Sequence, residues 1–314
     1  MKIIRSLKEI EFNKLSVVTI GTFDGVHKAH LEILKKVIQK AKEIYGRSVV
    51  VTFDPHPREV IQHNGKIELL TTLDEKLSFF KLLGIDIVFI VPFTFEFSRK
   101  TYMEFYNEYI INTIGVTIVV EGSNHHVGRD REGGMNQIIE LGKQNNFTIE
   151  MISDISLNTL PVSSSTIKSL LHEGKIVEAN FLLGYEYHFS GTVVRGRGMG
   201  RKLGYPTANI KFDSEKKLIP KIGVYAVKIL VRRIWYNGMM SIGVIPTFFE
   251  QHDVTVEVNI FDFDDDIYDE TVTVQCVART RDEKKFESVG ALITELGKDK
   301  IEIQQILDNY TSQQ

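Results

Sequence analysis

Cysteine is almost absent from this chain, and no apolar run is long. Cys276 is the single cysteine among 314 residues, which excludes an intrachain disulfide framework and a cysteine-rich metal site. The apolar runs are too short to cross a bilayer, and the first ten residues lack the apolar core of a signal peptide. A net charge of −3 gives no electrostatic reason to expect a nucleic-acid or membrane partner. We therefore expect a cytoplasmic protein.

The length and patterning of the chain indicate two domains. A chain of 314 residues exceeds the usual size of one domain. In the first half, apolar runs typical of buried strands alternate with helical patterns, which indicates a parallel sheet with helices on both faces. Strands are predicted at residues 16–20, 48–53, 85–91 and 117–120. Helices are predicted at residues 29–45, 73–83, 101–111, 135–144 and 164–171.

Beyond Gly184 the pattern changes to short strands. These are predicted at residues 191–194, 223–231, 239–244, 255–261 and 271–278. Helical patterns return only at residues 289–296 and 301–310. Short strands at regular spacing are typical of a small barrel or sandwich. Because Gly184 is the kind of residue that ends a helix, we expect an α/β domain over residues 1–184 and a β domain over residues 185–314.

A glycine-rich loop at residues 196–209 reads G-R-G-M-G-R-K-L-G-Y-P-T-A-N. Glycine lets a backbone approach a polyphosphate closely, and Lys202 adds a positive charge. Thr207 and Asn209 point to the same side if the segment is extended, so their oxygens suit a Mg²⁺–nucleotide. A glycine-rich hairpin without function is the alternative. The candidate phosphate-binding glycines are Gly196, Gly198, Gly200 and Gly204.

A second candidate site, at residues 21–30, reads G-T-F-D-G-V-H-K-A-H. It lies where a parallel strand ends and a helix begins, a position at which free backbone N–H groups attract phosphate. His27 and His30 can face the same side of the first helical turn. Two imidazoles there could hydrogen-bond phosphates and stabilise charge on a leaving pyrophosphate. Two incidental histidines at a helix start are the alternative.

Several motifs in order carry a resemblance to one family. Residues 191–209 look like the nucleotide-binding loop of riboflavin kinases, and residues 21–30 resemble the nucleotidyl-transfer motif of bacterial bifunctional riboflavin kinase/FAD synthetases. The likeness continues through G-V-Y-A-V, I-G-V-I-P-T-F, V-E-V-N-I-F-D-F and R-D-E-K-K-F, at residues 223–227, 242–248, 256–263 and 281–286. The resemblance implies a nucleotidyltransferase-like Rossmann domain followed by a Greek-key β-barrel kinase domain with terminal helices.

The resemblance assigns roles in the second domain. Glu257 matches the family's catalytic carboxylate, a general base for the ribityl 5′-hydroxyl. Thr207 and Asn209 would position Mg²⁺ and the nucleotide phosphates, and Arg281 would lie near the flavin. A solvent-facing glutamate and a surface salt-bridge arginine are the alternatives. Small departures from the family pattern occur at Ser241, Asn259 and Asp269.

The resemblance also assigns roles in the first domain. Catalysis would fall to His27 and His30, and flavin or phosphate contacts to His56 and Asn124. His56 could equally be a turn histidine between two prolines. The remaining ATP- or phosphate-binding candidates are Gly21, Phe23, Gly25, Ser164, Ser165 and Lys168.

Departures from the family pattern concentrate in this first domain. Ala29 replaces a glycine, Ser165 a threonine and Lys168 an arginine, while His125 and Val127 stand where aromatics are usual. Lysine keeps the charge but loses the planar fork that grips phosphate. We expect an enzyme that uses ATP to phosphorylate riboflavin to FMN and then uses ATP to adenylylate FMN to FAD. The alternatives are a monofunctional riboflavin kinase with a decayed first domain, a monofunctional FAD synthetase, and a non-catalytic flavin-binding regulatory protein.

Overall fold

A computed structural model describes residues 1–61, 67–123, 125–157, 159–196, 198–245 and 253–312. Its contacts divide the chain into two units, Met1–Ser164 and Ser165–Gln314. Within the described ranges, no helix is both long and apolar enough to cross a membrane.

The first unit is built on a six-stranded sheet in the order β1-β4-β3-β2-β5-β6, and all its pairs are parallel. The central strands are apolar and buried, as the runs of valine and isoleucine predict. The strands are β1 Lys2–Ile4, β2 Ser16–Ile20, β3 Arg47–Asp54, β4 Ile87–Pro92, β5 Ile118–Gly122 and β6 Thr148–Ile152. The parallel α/β arrangement is confirmed.

Helices connect these strands. The unit also contains two 3-10 helices, Leu7–Glu9 and Arg129–Arg131, and a short β-hairpin. The helices are α1 Lys28–Glu43, α2 Pro57–Ile61, α3 Leu73–Leu83, α4 Phe95–Ser98, α5 Tyr102–Phe105 and α6 Met135–Asn145. The hairpin strands are β7 Ser156–Leu157 and β8 Leu160–Pro161.

One helix prediction in this unit is right in position and needs correction only in helix type. The helix predicted over residues 101–111 begins as α5 and continues as a π-helix, Tyr106–Ile114. The N–H of Gly115 donates to the carbonyl of Ile110, five residues back. Tyr106, Ile110 and Ile114 on this helix are buried in the core, and the sequence does not distinguish the two helix types.

The second unit contains a closed antiparallel barrel with the strand order β10-β13-β12-β11-β14-β9, which decides between the barrel and the sandwich. Because β10 pairs with β13 rather than with the next strand in sequence, the topology is of the Greek-key kind. The strands are β9 His188–Val194, β10 Ala208–Phe212, β11 Gly223–Val231, β12 Ile234–Ile245, β13 Asp253–Ile260 and β14 Thr271–Arg281. The helices are α7 Ser164–Glu173, α8 Ile176–Leu183, α9 Met199–Lys202 and α10 Val289–Thr311.

The C-terminal helix corrects a second prediction. Two helices were expected at residues 289–296 and 301–310, whereas α10 runs through both segments without a break. Gly297 and the charged residues after it interrupt the apolar pattern but not the backbone, since glycine inside a helix costs only about 1 kcal/mol relative to alanine. Asp299, in the interrupted segment, is buried.

The sequence pattern and the contacts assign helices α7 and α8 to different domains. The sequence places the boundary after Gly184, whereas the contact division falls at Ser164. Asn180 on α8 accounts for part of this, because its amide donates to the carbonyl of Cys276 in β14 and accepts from the N–H of Tyr187, at 2.8 and 2.7 Å. The boundary between residues 184 and 185 stays a prediction.

Candidate active sites

The loop between β2 and α1 is fixed by a buried carboxylate. Asp24 is 3% exposed, and its Oδ1 accepts from the N–H groups of Leu70 and Thr71 at 2.8 and 3.2 Å. The N–H of Gly25 donates to Thr71 Oγ1 at 2.9 Å. Gly25 has φ +89°, a left-handed conformation that favours glycine. The loop is therefore held in one shape at the carboxyl edge of the sheet.

Gly21 and Phe23 make structural contacts within the first unit. The N–H of Gly21 donates to the carbonyl of Val51 at 3.0 Å. The ring of Phe23 is buried and meets Phe80 edge to face at 5.6 Å. Phe23 therefore shapes the loop from inside, and a nucleotide contact by these two residues stays a prediction.

His27 and His30 lie against each other, as their spacing predicts. Their rings are stacked with centroids 3.6 Å apart, and His27 Nδ1 accepts from the N–H of His30 at 3.4 Å, capping α1. Burial lowers the pKa of His27 to about 4, against a smaller opposing effect of Asp24. Burial, then the charges of His27 and Lys76, lower the pKa of His30 well below its usual value. Both imidazoles are therefore neutral near pH 7.

Lys76 is a candidate that sequence reasoning missed. It is 6% exposed, and its ammonium donates to the carbonyl of Thr22 at 3.0 Å. Burial lowers its pKa, while Asp24 opposes the shift. The available signal was a lysine in the first turn of α3 that faces the apolar core. Its amino group adds positive charge to the loop that carries the histidines.

The other first-site candidates are spread more widely. Ser164 Oγ donates to the carbonyl of Asp24 at 2.8 Å and so supports the loop directly. His56 Nδ1 accepts from the N–H of Arg58 at 3.1 Å, which makes it a cap of α2. Ser165 is exposed and Lys168 half-buried on α7, within the second unit. Asn124 lies outside the described residues.

The second site forms where β10 meets β13. Thr207 Oγ1 donates to Glu257 Oε2 at 2.9 Å, and Asn209 lies opposite Glu257 in the strand register. Asn259 donates to the carbonyl of Pro206 at 2.7 Å, which holds the turn before Thr207 in place. A hydroxyl, an amide and a half-buried carboxylate therefore converge where β10 pairs with β13.

The glycines of residues 196–204 close over these groups. A side chain at Gly196 would overlap the amide of Asn209, and one at Gly200 would overlap the carbonyl of Tyr205. Gly198 and Gly204 have φ +67° and +81°, so their conformations favour glycine. Lys202 lies exposed at the end of α9. The loop thus needs glycine for two reasons, close approach and backbone conformation.

Arg281 is engaged in an ion pair. Its Nε and Nη2 donate to the two carboxylate oxygens of Asp299, at 2.8 and 2.6 Å. Asp299 is 3% exposed, and its hydrogen bonds raise the pKa of Arg281. The pair joins the end of β14 to α10. A salt bridge was the alternative that the sequence left open for Arg281, but the sequence did not identify Asp299 as its buried partner. A flavin contact by Arg281 stays a prediction.

Comparison with known proteins assigns the two units to known domains. A family model described as FAD synthetase matches residues 9–166, and one described as riboflavin kinase matches residues 183–307. A bifunctional riboflavin kinase/FMN adenylyltransferase of Listeria monocytogenes is 37% identical over 90% of both chains. The chain belongs to this bifunctional family. It is an enzyme of flavin cofactor biosynthesis.

Further relatives agree on the family. The Bacillus subtilis protein of the same description is 33% identical over 91% of both chains. A crystal structure from Streptococcus pneumoniae, titled a macrolide-efflux protein, superimposes with a TM-score of 0.89 at 30% identity, covering 96% of this chain and 98% of that one. Its title describes that protein alone.

Each candidate site of this family member falls in one matched domain. The loop with His27 and His30 lies in the FAD synthetase range, and Thr207, Asn209 and Glu257 lie in the riboflavin kinase range. Lys168 lies in neither range. Both domains of the family are therefore present.

Proposed function

We propose that the chain makes FAD from riboflavin in two ATP-dependent steps. The second domain transfers the γ-phosphoryl group of ATP to the ribityl 5′-hydroxyl of riboflavin, giving FMN and ADP. The first domain joins FMN and ATP into FAD and pyrophosphate. The observation that carries the proposal is the contact between Thr207 and Glu257 beneath a glycine-rich loop.

In the kinase step, Glu257 acts as the general base. It accepts the proton of the 5′-hydroxyl as that oxygen attacks the γ-phosphorus, and the bond to the ADP oxygen breaks. The hydrogen bond from Thr207 holds one carboxylate oxygen and leaves the other for the substrate. Phosphoryl transfer depends chiefly on positioning, which the fixed strand register of β10 and β13 provides.

Magnesium fits the oxygen donors of this second site. Among the described residues no three histidine, cysteine or acidic side chains cluster as a metal centre. Mg²⁺ is usually held by few protein oxygens together with substrate phosphates, and Thr207 and Asn209 offer a hydroxyl and an amide oxygen. Bound there, the ion would neutralise phosphate charge during transfer.

In the adenylyl step, the FMN phosphate attacks the α-phosphorus of ATP directly, so no protein nucleophile is needed. Neutral His27 and His30 serve as hydrogen-bond donors to phosphate oxygens, and Lys76 supplies positive charge near the leaving pyrophosphate. The closed loop around Asp24 keeps these groups in place.

Chromatography of the flavins tests both steps. Riboflavin is incubated with excess ATP and Mg²⁺ under aerobic and under reducing conditions, and riboflavin, FMN and FAD are followed with time. We expect FMN to appear first and FAD after it. His30→Asn should stop the sequence at FMN while riboflavin is still consumed at the normal rate.

The other outcomes identify the alternatives. FMN that accumulates without FAD in either condition indicates a kinase with an inactive first domain. Conversion of added FMN, but not of riboflavin, indicates a FAD synthetase alone. Tight flavin binding without release of ADP or pyrophosphate indicates a regulatory protein.

A further inference from the structure

The order in which successive strands are added to the sheet of the first unit reverses between β2 and β5. From β2 the chain proceeds to β3 and β4 on one side, and from β5 to β6 on the other. In open parallel sheets, ligands bind outside the carboxyl ends of the strands at this switch point. The strands that border it end at Ile20 and Gly122.

A buried glutamate joins the two strands at this point. Glu121 is 2% exposed. Its Oε1 accepts from the N–H of Ile20 at 2.7 Å, and its Oε2 lies 3.1 Å from His125 Nδ1. His125 itself lies in a turn after β5, where its N–H donates to the carbonyl of Gly122. Glu121 therefore fixes both the end of β2 and the imidazole.

Burial favours the neutral form of both members of this pair. Burial raises the pKa of Glu121 well above its usual value, and burial together with His126 lowers the pKa of His125 to about 4. Tyr106, the neighbouring phenol, is also neutral, because burial and Glu121 raise its pKa. A protonated Glu121 donates its O–H to His125 Nδ1, and the imidazole proton then resides on Nε2.

His125 Nε2 is buried and has no hydrogen-bond partner among the residues that the structure describes. Buried N–H groups are nearly always paired, and an unpaired one is a candidate for contact with a ligand.

Resting on the proposed adenylyl transfer, we infer that His125 is a specificity-determining residue of that step, whose Nε2–H donates a hydrogen bond to an acceptor atom of FMN or of ATP. Glu121 is its positioning residue. The acceptor is a carbonyl or ring nitrogen of the flavin or adenine, or a phosphate oxygen.

Steady-state kinetics of adenylyl transfer test this assignment. His125→Phe keeps a ring but removes the donor, and His125→Gln places an amide N–H near the position of Nε2. We expect H125F to raise KM about tenfold for the substrate that accepts the bond, as loss of one hydrogen bond predicts, with a smaller change in kcat. The KM that rises, for FMN or for ATP, identifies the acceptor. H125Q should recover most of the loss.

His126→Phe is the matched control, because His126 is the exposed neighbour in the same turn. H126F should leave both KM values unchanged, and the kinase rate should be normal in all variants. An unchanged KM in H125F, an equal loss in H125Q, or an equal loss in H126F overturns the assignment.

Two readouts remain if the chain makes no FAD, an outcome that contradicts the adenylyl step and not the contact. Calorimetry with FMN, and separately with a non-hydrolysable ATP analogue, should show about tenfold weaker binding of one of them by H125F. Nitrogen-15 NMR of labelled histidine should show the Nε2–H tautomer of His125. An Nδ1–H tautomer of His125 overturns the inference. So does an H125F variant that binds FMN and the ATP analogue as tightly as the unsubstituted protein does.

Discussion

Glu257 accepts a hydrogen bond from Thr207 at one carboxylate oxygen, Oε2. In the proposed mechanism this oxygen orients the group, and the other oxygen receives a proton. An amide in its place keeps the shape but cannot act as a base. The base role can therefore be separated from the structural role by a single substitution.

Glu257→Gln should lower kcat for riboflavin phosphorylation about 10²- to 10⁴-fold, the usual range for loss of a general base. Adenylylation of added FMN should be unaffected. Glu302→Gln, an exposed change on α10, is the control and should leave both rates unaltered. A kinase rate within a few fold of normal in E257Q would remove the base role.

The buried histidines predict how the stability of the first unit depends on pH. The pKa of His27 is about 4 in the folded chain, against an ordinary value of 6.5. Between these values the unfolded chain binds more protons, so acid favours unfolding. The free energy of unfolding of the first unit is therefore highest above about pH 6.5. As the pH falls from there through 4, it decreases by up to about 3 kcal/mol, at about 1.4 kcal/mol per pH unit.

Urea unfolding followed by circular dichroism between pH 4 and 7.5 measures this effect. Fluorescence of the single tryptophan, Trp235, would report on the second unit instead. His27→Asn keeps a side chain that can cap α1 and should make the pH dependence shallower by the share of one histidine, while the lowered pKa values of His30 and His125 preserve the rest. An equally steep dependence in the variant would assign the effect to other groups.

The local sequence predicted some site residues because their arrangement depends only on neighbouring residues. Glycines before a threonine and an asparagine two residues apart require only an extended segment, and His27 and His30 require only the start of a helix. Glu121 is the one polar residue of an apolar strand, and Lys76 is one of several polar residues of α3, so neither stands out as a site residue from its neighbours alone. Their roles depend on residues distant in sequence, such as Ile20 and Thr22.

At the scale of the elements, α10 is tied to the barrel by a buried ion pair. Arg281 and Asp299 are 16% and 4% exposed at their side chains and make two hydrogen bonds. Removing one partner of such a pair leaves the other charge buried, which costs about 3 kcal/mol or more.

Asp299→Asn should therefore lower the free energy of unfolding of the second unit by about 3 kcal/mol. Glu295→Gln is the matched control, since its partner Lys284 is 53% exposed, and exposed pairs contribute under about 1 kcal/mol. Chemical unfolding followed by Trp235 fluorescence measures both. Equal effects of the two substitutions would contradict the importance of the buried pair.

Strand β10, which sequence reasoning missed, and the undivided helix α10 share a cause. Strand β10 is short and follows a glycine-rich loop, so it has little apolar pattern of its own, and its edges are satisfied by β9 and β13. The continuous α10 was divided at Gly297 because apolar periodicity fails there, although Asp299 faces Arg281. In both places tertiary pairing overrides the local signal.

At the scale of the whole molecule, the order of strands and helices predicted the α/β and β parts. The sequence pattern placed α7 and α8 in the first domain, whereas the contact division groups residues 165–183 with the second unit. Both helices bury apolar residues, among them Ile167, Leu171 and Leu183. A helix with an apolar face must cover some apolar surface, and its own sequence does not state which one.

Fragments of the chain test the division. The N–H of Lys221 donates to the carbonyl of Leu171 at 3.0 Å, and Asn180 bonds to Cys276. A fragment of residues 165–314 should therefore phosphorylate riboflavin and unfold cooperatively, whereas a fragment of residues 185–314 lacks several buried apolar side chains, each worth about 1.5–3 kcal/mol. We expect the shorter fragment to unfold at least about 10 °C lower. Asn180→Ala in the longer fragment should give an intermediate value, and equal midpoints for the two fragments would place α7 and α8 with the first domain.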